Sequence, residues 1–364
     1  MHPYTIGRLN IKRIGGIRIA TFGLAAVGLL LFGVGCRRAD SDRTVTLMTH
    51  DSFAVSESVL RAFEESAGVK VVVLESGDAG AALNKAILTK QAPLADVFFG
   101  VDNTFLTRAL EEGIFAAYAS PLLESIPAEF RLDPENRALP VDYGYVCINY
   151  DRDWFASCDI PIPQTLEDLT DPEYEGLLVV ENPYTSSPGL AFLLATVAHF
   201  GPEGFAGYWR SLKDNRIQVV DGWETAYYTN FSGSSGKGPQ PMVVSYATSP
   251  AFEMIYADPP RTDPPTASLD GPDMCFQQIE FAGILAGTDH RDLAEKLVDF
   301  LLGRSFQEDI PLQMAMYPVD TGAELPPAFQ DFAPPPSQPA MLDPREIAGH
   351  REDWMAAWKD IVLP

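Results

Sequence analysis

The stretch "TVTLMTHDSFAVSESVLRAFEESAGVKVVVLES", residues 44–76, decides the fold. Its first seven residues alternate and are rich in β-branched side chains, which predicts a strand. "SESVLRAFEESAG" places Val59, Leu60 and Phe63 on one helical face. "VKVVVLES" is a continuous apolar run of strand length. The alternation then continues. "GDAGAALNKAILTKQ" reads as a helix opening at a Gly-rich turn, "ADVFFGVDN" as a buried strand, and "NTFLTRALEEG" as a helix closed by Gly113. Strand, helix, strand, helix predicts an α/β fold: a mixed, mostly parallel sheet with helices on its faces.

The pattern returns further along. "VDYGYVCINYD" (141–151) predicts a long strand, and "LLVVEN" (177–182) leads through "PYTSSPG" into the helix "LAFLLATVAHF". "FAGYWRSLKDN" predicts a helix, "IQVVDG" a strand, "WETAYYTNF" a helix, "PMVVSYA" a strand and "SPAFEMIYA" a helix. The proline-rich stretch 258–273 reads as an exposed loop. "CFQQIEFAGIL" returns to strand and "RDLAEKLVDFLLGRSFQEDI" to a single helix. In the last segment Ile347, Trp354, Trp358 and Ile361 share a helical stripe, expected to pack on the body.

With 364 residues the chain suits two compact units. Residues 1–36 differ from the rest: Arg8, Lys12, Arg13 and Arg18 precede an apolar run from Ile19 to Val34, and Gly35-Cys36 follows. This reads as an export signal, with Cys36 as the lipidation point of a lipoprotein. It places the remainder outside the cytoplasm. Four basic residues leave with the signal, so 22 basic face 50 acidic, a net of −28. Such a surface repels nucleic acid, which excludes that partner class. Of the four cysteines, Cys147, Cys158 and Cys275 remain in an oxidising compartment, enough for one disulfide and one free thiol. Connectivity does not follow from sequence; the pairing expected is Cys147 with Cys275. Neither CxxC nor HExxH occurs, and no metal site or cofactor is expected.

The strand-to-helix junctions carry the polar chemistry. They are "HDSF" (50–53), "ESGD" (75–78), "GVDN" (100–103), "PYTSSPG" (183–189), "VDGWETAYY" (220–228) and "SYATSP" (245–250). Ser187 is placed to cap a helix whose next residue is Pro188, and free N–H groups there suit an anion. "FSGSSGKG" fails the P-loop pattern: five residues before Gly236 stands Phe231, and Gly238 follows Lys237. Trp223, Tyr227 and Tyr246 read as an aromatic wall for a flat cationic ring. Asp51, Glu75, Asp78 and Asp102 would favour its charge. The alternative is a ferric-iron site on the adjacent Tyr227 and Tyr228, helped by His50 or Glu57. No nucleophile elbow or other catalytic set stands out, so an enzyme is not expected.

These blocks, in this order, resemble the substrate-binding proteins of bacterial thiamine ABC transporters. The resemblance runs from Val45 to Ala333 through "THDSF", "ADVFFGVDN", "VDYGY", "TSSPGLAFLL", "DGWETAY", "VSYATSPA" and "FQEDIPLQMAMYPV". It implies a two-lobe periplasmic-binding-protein fold of the second type, with two crossing strands as hinge. Lobe 1 would comprise 44–141 and 268–318, lobe 2 142–262, and 319–364 a tail on the body. The chain would be a monomer that captures thiamine, or its phosphates, and passes it to a membrane permease. Ser76, Gly77, Ser186 and Ser187 would sit at the hydroxyethyl or phosphate end. Trp223 would stack on the ligand, and Tyr246, Ala247, Thr248 and Ser249 would line its pyrimidine side. Asp51, Asp102 and Tyr227 complete the expected site. The enterobacterial relative has Asp where Ser76 aligns, and losing that acid would ease anion binding.

Overall fold

Two long strands carry the architecture. The computed structural model describes residues 43–234 and 237–363, so the expected signal, Cys36 and part of the 233–238 loop lie outside the described residues. Among the described residues the strands are β1 (Thr44–Thr49), β2 (Lys70–Glu75), β3 (Val97–Asp102), β4 (Phe115–Ala116), β5 (Leu139–Asp151), β6 (Leu178–Glu181), β7 (Gln218–Val220), β8 (Met242–Tyr246), β9 (Thr266–Ser268), β10 (Phe276–Leu285) and β11 (Tyr317–Pro318). They order as β2-β1-β3-β10-β5-β8-β6-β7, with β4 beside β10 and both β9 and β11 beside β5.

The expected parallel pairing holds on each flank, β2-β1-β3 on one and β8-β6-β7 on the other. The centre is antiparallel, because β10 and β5 run against each other and against their outer neighbours. The first part of β5 pairs with β10 and the second with β8, so this one strand belongs to both halves of the sheet. That is the mixed sheet with flanking helices of a two-lobe periplasmic-binding-protein fold. Flanking strands are buried on both faces where helices cover them: all six residues of β3 are buried. β2 is an edge strand instead, and its Val72 and Val73 are exposed.

The two helices expected at 190–200 and 205–215 are both present within Ser187–Asp214, divided at Gly201, whose φ of 73° and ψ of 167° are not helical and suit glycine. Two boundaries differ from the sequence reading, each for a local reason. The single helix expected over 291–310 is two, Arg291–Leu302 and Arg304–Gln313, because Gly303 leaves helical geometry at φ −76°, ψ 147°. The stretch 258–273 is not an exposed loop throughout. It contains β9, which places fully buried Thr266 and then buried Leu269 against β5. The last helix, Pro344–Val362, packs Trp358 edge-on against Trp209 of the long helix at 5.8 Å, as the stripe predicted, although Ile361 is only half-buried.

Candidate functional site

β-Bulges build the floor of the cleft. Along β10, Glu280 pairs with Asp102 of β3 on one side and Asp142 of β5 on the other. Just beyond it, the register skips Gly100 on β3 and Val141 on β5. An extra residue on both neighbouring strands bends the sheet and re-aims side chains there. Gly100 has φ 105°, and a Cβ at that position would lie 2.3 Å from the His50 ring. Glycine therefore lets His50, at the end of β1, settle over the sheet, where its Nε2 lies 3.5 Å from Glu280 Oε1.

Three carboxyl groups in a row and one imidazole cannot all hold their ordinary charge states in a buried place. Burial pushes the Asp102 pKa up to about 7, and Glu280 adds to it. Burial and then Glu280 hold Asp142 well above the usual carboxylate range. For His50, burial opposes protonation, but Glu280, Asp78 and Asp51 outweigh it and the pKa is raised. The floor thus holds on to protons that freely solvated carboxyl groups would release.

The walls come from both halves. A cleft of about 520 Å³, counted with its open mouth, is lined from the first half by His50, Ser52, Asp78 and Ala79. Ser187, Pro188, Trp223, Tyr246 and Ser249 face them, with Glu280 and Met314–Met316 closing the base. Trp223 is held firmly. Its ring stacks on Tyr227 at 5.0 Å and 17°, and meets Tyr246 edge-on at 6.1 Å. Its indole N–H donates to Ser245 Oγ at 2.9 Å, which lies 3.0 Å from Ser249 Oγ. The Tyr246 hydroxyl donates to Gln278 Oε1, and Gln278 Nε2 donates to Ser187 Oγ.

Not every expected residue reaches this cleft. Ser187, Trp223, Tyr246 and Ser249 line it. Ser186 and Thr248 are buried behind it, and Ala247 packs with Tyr145 against Cys147 and Cys275, which form a disulfide. Asp102 turns away: Oδ1 accepts from the Thr104 N–H and hydroxyl and from the Phe105 N–H, fixing the turn after β3. Ser76 donates to the Leu74 carbonyl and accepts from Lys85 Nζ, while Gly77 supplies a positive φ. Asp51 is not among the lining residues; its N–H donates to the Gly77 carbonyl, and it is close enough to act on His50 and Asp78 by charge.

Tyr227 lies behind Trp223 and its phenol donates to Glu253 Oε1 at 3.0 Å. Burial and that carboxylate push its pKa well up, and burial pushes the half-exposed Tyr228 to about 12. The two rings stand at 90°. Neither tyrosine is among the residues that line the cleft. Among the described residues no group of three His, Cys, Asp or Glu could hold a metal ion either.

The sequence reading named Asp78 among the acids that would favour a cation, and missed Glu280 and the turn 314–316. Asp78 also precedes a Gly- and Ala-rich helix as an N-cap, and its Oδ1 accepts from the Ala79 N–H. Glu280 had no such signal, because only the pairing of β3, β10 and β5 brings it under the cleft.

Comparisons with known proteins agree with this architecture. A thiamine-binding periplasmic protein of Brucella suis biovar 1 (strain 1330) is 32% identical over 94% of this chain and 97% of its own. The solved structure of a periplasmic thiamin binding protein superimposes with a TM-score of 0.78 at 27% identity, covering 90% of this chain and 98% of that one. Iron-bound HitA from Pseudomonas aeruginosa, at 20% identity and a TM-score of 0.70 over 88% of this chain and 99% of its own, shares the fold. Residues 92–348 match the family model of the bacterial extracellular solute-binding proteins, and the chain belongs to that family.

Proposed function

We propose that the chain is an extracytoplasmic receptor, not an enzyme, that binds thiamine between its two lobes and delivers it to an ABC transporter permease. One observation carries this reading: an aromatic wall of Trp223 and Tyr246 faces Asp78 and Glu280 across one cleft. Thiamine offers two flat rings, one of them a permanent cation. Stacking and cation–π attraction serve the rings, and carboxylates in a partly dry cleft serve the charge. The thiamine-binding names of the relatives support the same choice over iron. Lobe 1 would comprise 44–141 and 268–318 and lobe 2 142–262, with β5 and β10 passing between them. No helix among the described residues is long and apolar enough to cross a membrane; lipidation at Cys36 would tether the monomeric receptor to one. Isothermal titration with thiamine tests the proposal. Saturable binding at micromolar or lower concentration is expected, and no heat at that level, with a coloured complex on adding ferric iron, would return the iron reading.

A further inference from the structure

The N-terminus of the long helix Ser187–Asp214 is the natural seat for an anion: free N–H groups and the positive end of the helix dipole converge there. In this chain an internal carboxyl group already holds it; burial raises its pKa, and the Trp223 N–H works against that rise. Asp78 Oδ1 caps its own helix at the Ala79 N–H, 2.6 Å away, and lies 3.4 Å from the Ser187 N–H. Its Oδ2 accepts from the Trp223 N–H at 3.0 Å. One carboxylate from the first half thus meets backbone donors of two elements of the second.

The surroundings are unfavourable for a second anion. Glu181, fully buried at the end of β6, and Glu224 both feel the charge of Asp78, as Asp78 feels that of Asp51. None of the described residues lining the cleft is Lys or Arg, the side chains that make phosphate recognition strong. Ser76, where an acid was expected to be lost, is therefore no relief for an anion. The acid stands two residues later and reaches further.

We propose that Asp78 is the specificity-determining residue of the cleft: it fills the helix N-terminal seat with the protein's own carboxylate, so that the receptor selects unphosphorylated thiamine over its phosphate esters. A phosphate arm reaching for those N–H groups would meet Asp78 at contact distance. A neutral hydroxyethyl arm can donate to the same carboxylate. The inference rests on the thiamine-receptor reading, and the test separates the two.

Thiamine, thiamine monophosphate and inorganic phosphate are titrated calorimetrically into wild type, D78N and D78A. D78N keeps a good N-cap side chain and so guards against misfolding. Wild type is expected to bind thiamine at least tenfold more tightly than the monophosphate and to show no heat with phosphate. In both variants the ratio of the two dissociation constants should fall at least tenfold. A wild type that binds both thiamine forms equally, or folded variants with an unchanged ratio, overturns the inference alone. A wild type that binds neither thiamine form overturns the receptor reading and the inference with it.

Discussion

Trp223 is fixed from three sides: by the stacked Tyr227 ring, the Tyr246 edge and the bond from its indole N–H to Ser245. Little rotamer entropy remains to be lost when a ring docks on its open face. On the receptor reading, Trp223→Ala weakens thiamine binding at least tenfold, on the order of 1–2 kcal/mol. Unchanged affinity in a calorimetric titration would remove Trp223 from the site. Asp102 gives a prediction of another kind. Its folded pKa of about 7 lies above the roughly 3.9 of an unfolded Asp. Between those values the folded chain holds a proton that the unfolded chain has released. Stability from this group is therefore greatest below about pH 4 and declines as pH rises toward 7. Asp102→Asn retains an acceptor for Thr104 and cannot ionise. Urea unfolding across pH 4–8 should show a flatter profile for the variant, with wild type losing ground relative to it as pH rises. Parallel profiles would show that Asp102 titrates normally.

At the scale of elements, closure depends on how near the helix Ala79–Leu88 comes to the turn after β6. The Gly80 and Ala81 N–H groups both donate to the Thr185 carbonyl. A Cβ on Gly80 would stand 2.8 Å from the Tyr184 carbonyl oxygen and 3.0 Å from that of Thr185. These are backbone atoms and cannot swing aside, so Gly80→Ala wedges the halves apart. The helix itself gains from alanine, by about 1 kcal/mol in the interior and less near its end. The expected outcome is a melting temperature that holds or rises, with thiamine affinity reduced at least tenfold. Equal affinity would mean that closure needs no such approach. The same element shows what the sequence could tell. Apolar periodicity in "GDAGAALNKAILTKQ" marked the helix, and Gly/Pro punctuation marked the junctions, so the strand-helix order and the four wall residues from Ser187 to Ser249 were legible. Glu280 and the reach of Asp78 across the cleft were not. Both depend on pairing between segments far apart in the chain, which no local window contains. The break at Gly201 was read as a gap between two helices, but Gly303 was read through, because whether a glycine inside an apolar helical pattern breaks it is settled by tertiary packing.

At the scale of the molecule, β5 pairs with β10 along its first part and with β8 along its second, and Cys147 of β5 joins Cys275 at one end of the β5–β10 pairing. The bond closes a loop across a sequence separation of 128 residues. In the chain-entropy picture so long a loop gives a stabilisation of about 2–5 kcal/mol, by restricting the unfolded chain. Both cysteines are buried with Ala247 and Tyr145, so reductant would reach them slowly in the folded protein. The double substitution Cys147→Ala with Cys275→Ala is the cleaner test. It should lower the melting temperature by about 5–10 °C. Ligand affinity separates two roles for the bond. The disulfide does not line the cleft, and Ala247 and Tyr145 stand beside it, so a bond that only restrains the unfolded chain leaves thiamine affinity within about threefold. A bond that also sets the angle at which β5 and β10 cross would misalign Asp78 against the Ser187 and Trp223 N–H groups when lost, and affinity would fall with stability. The structure favours the first outcome. Seven register pairs between β5 and β10 hold the crossing without the disulfide, and neither cysteine lines the cleft. Lowered stability with retained affinity is therefore the expected pair of results, and a parallel loss of both would make the disulfide part of the hinge.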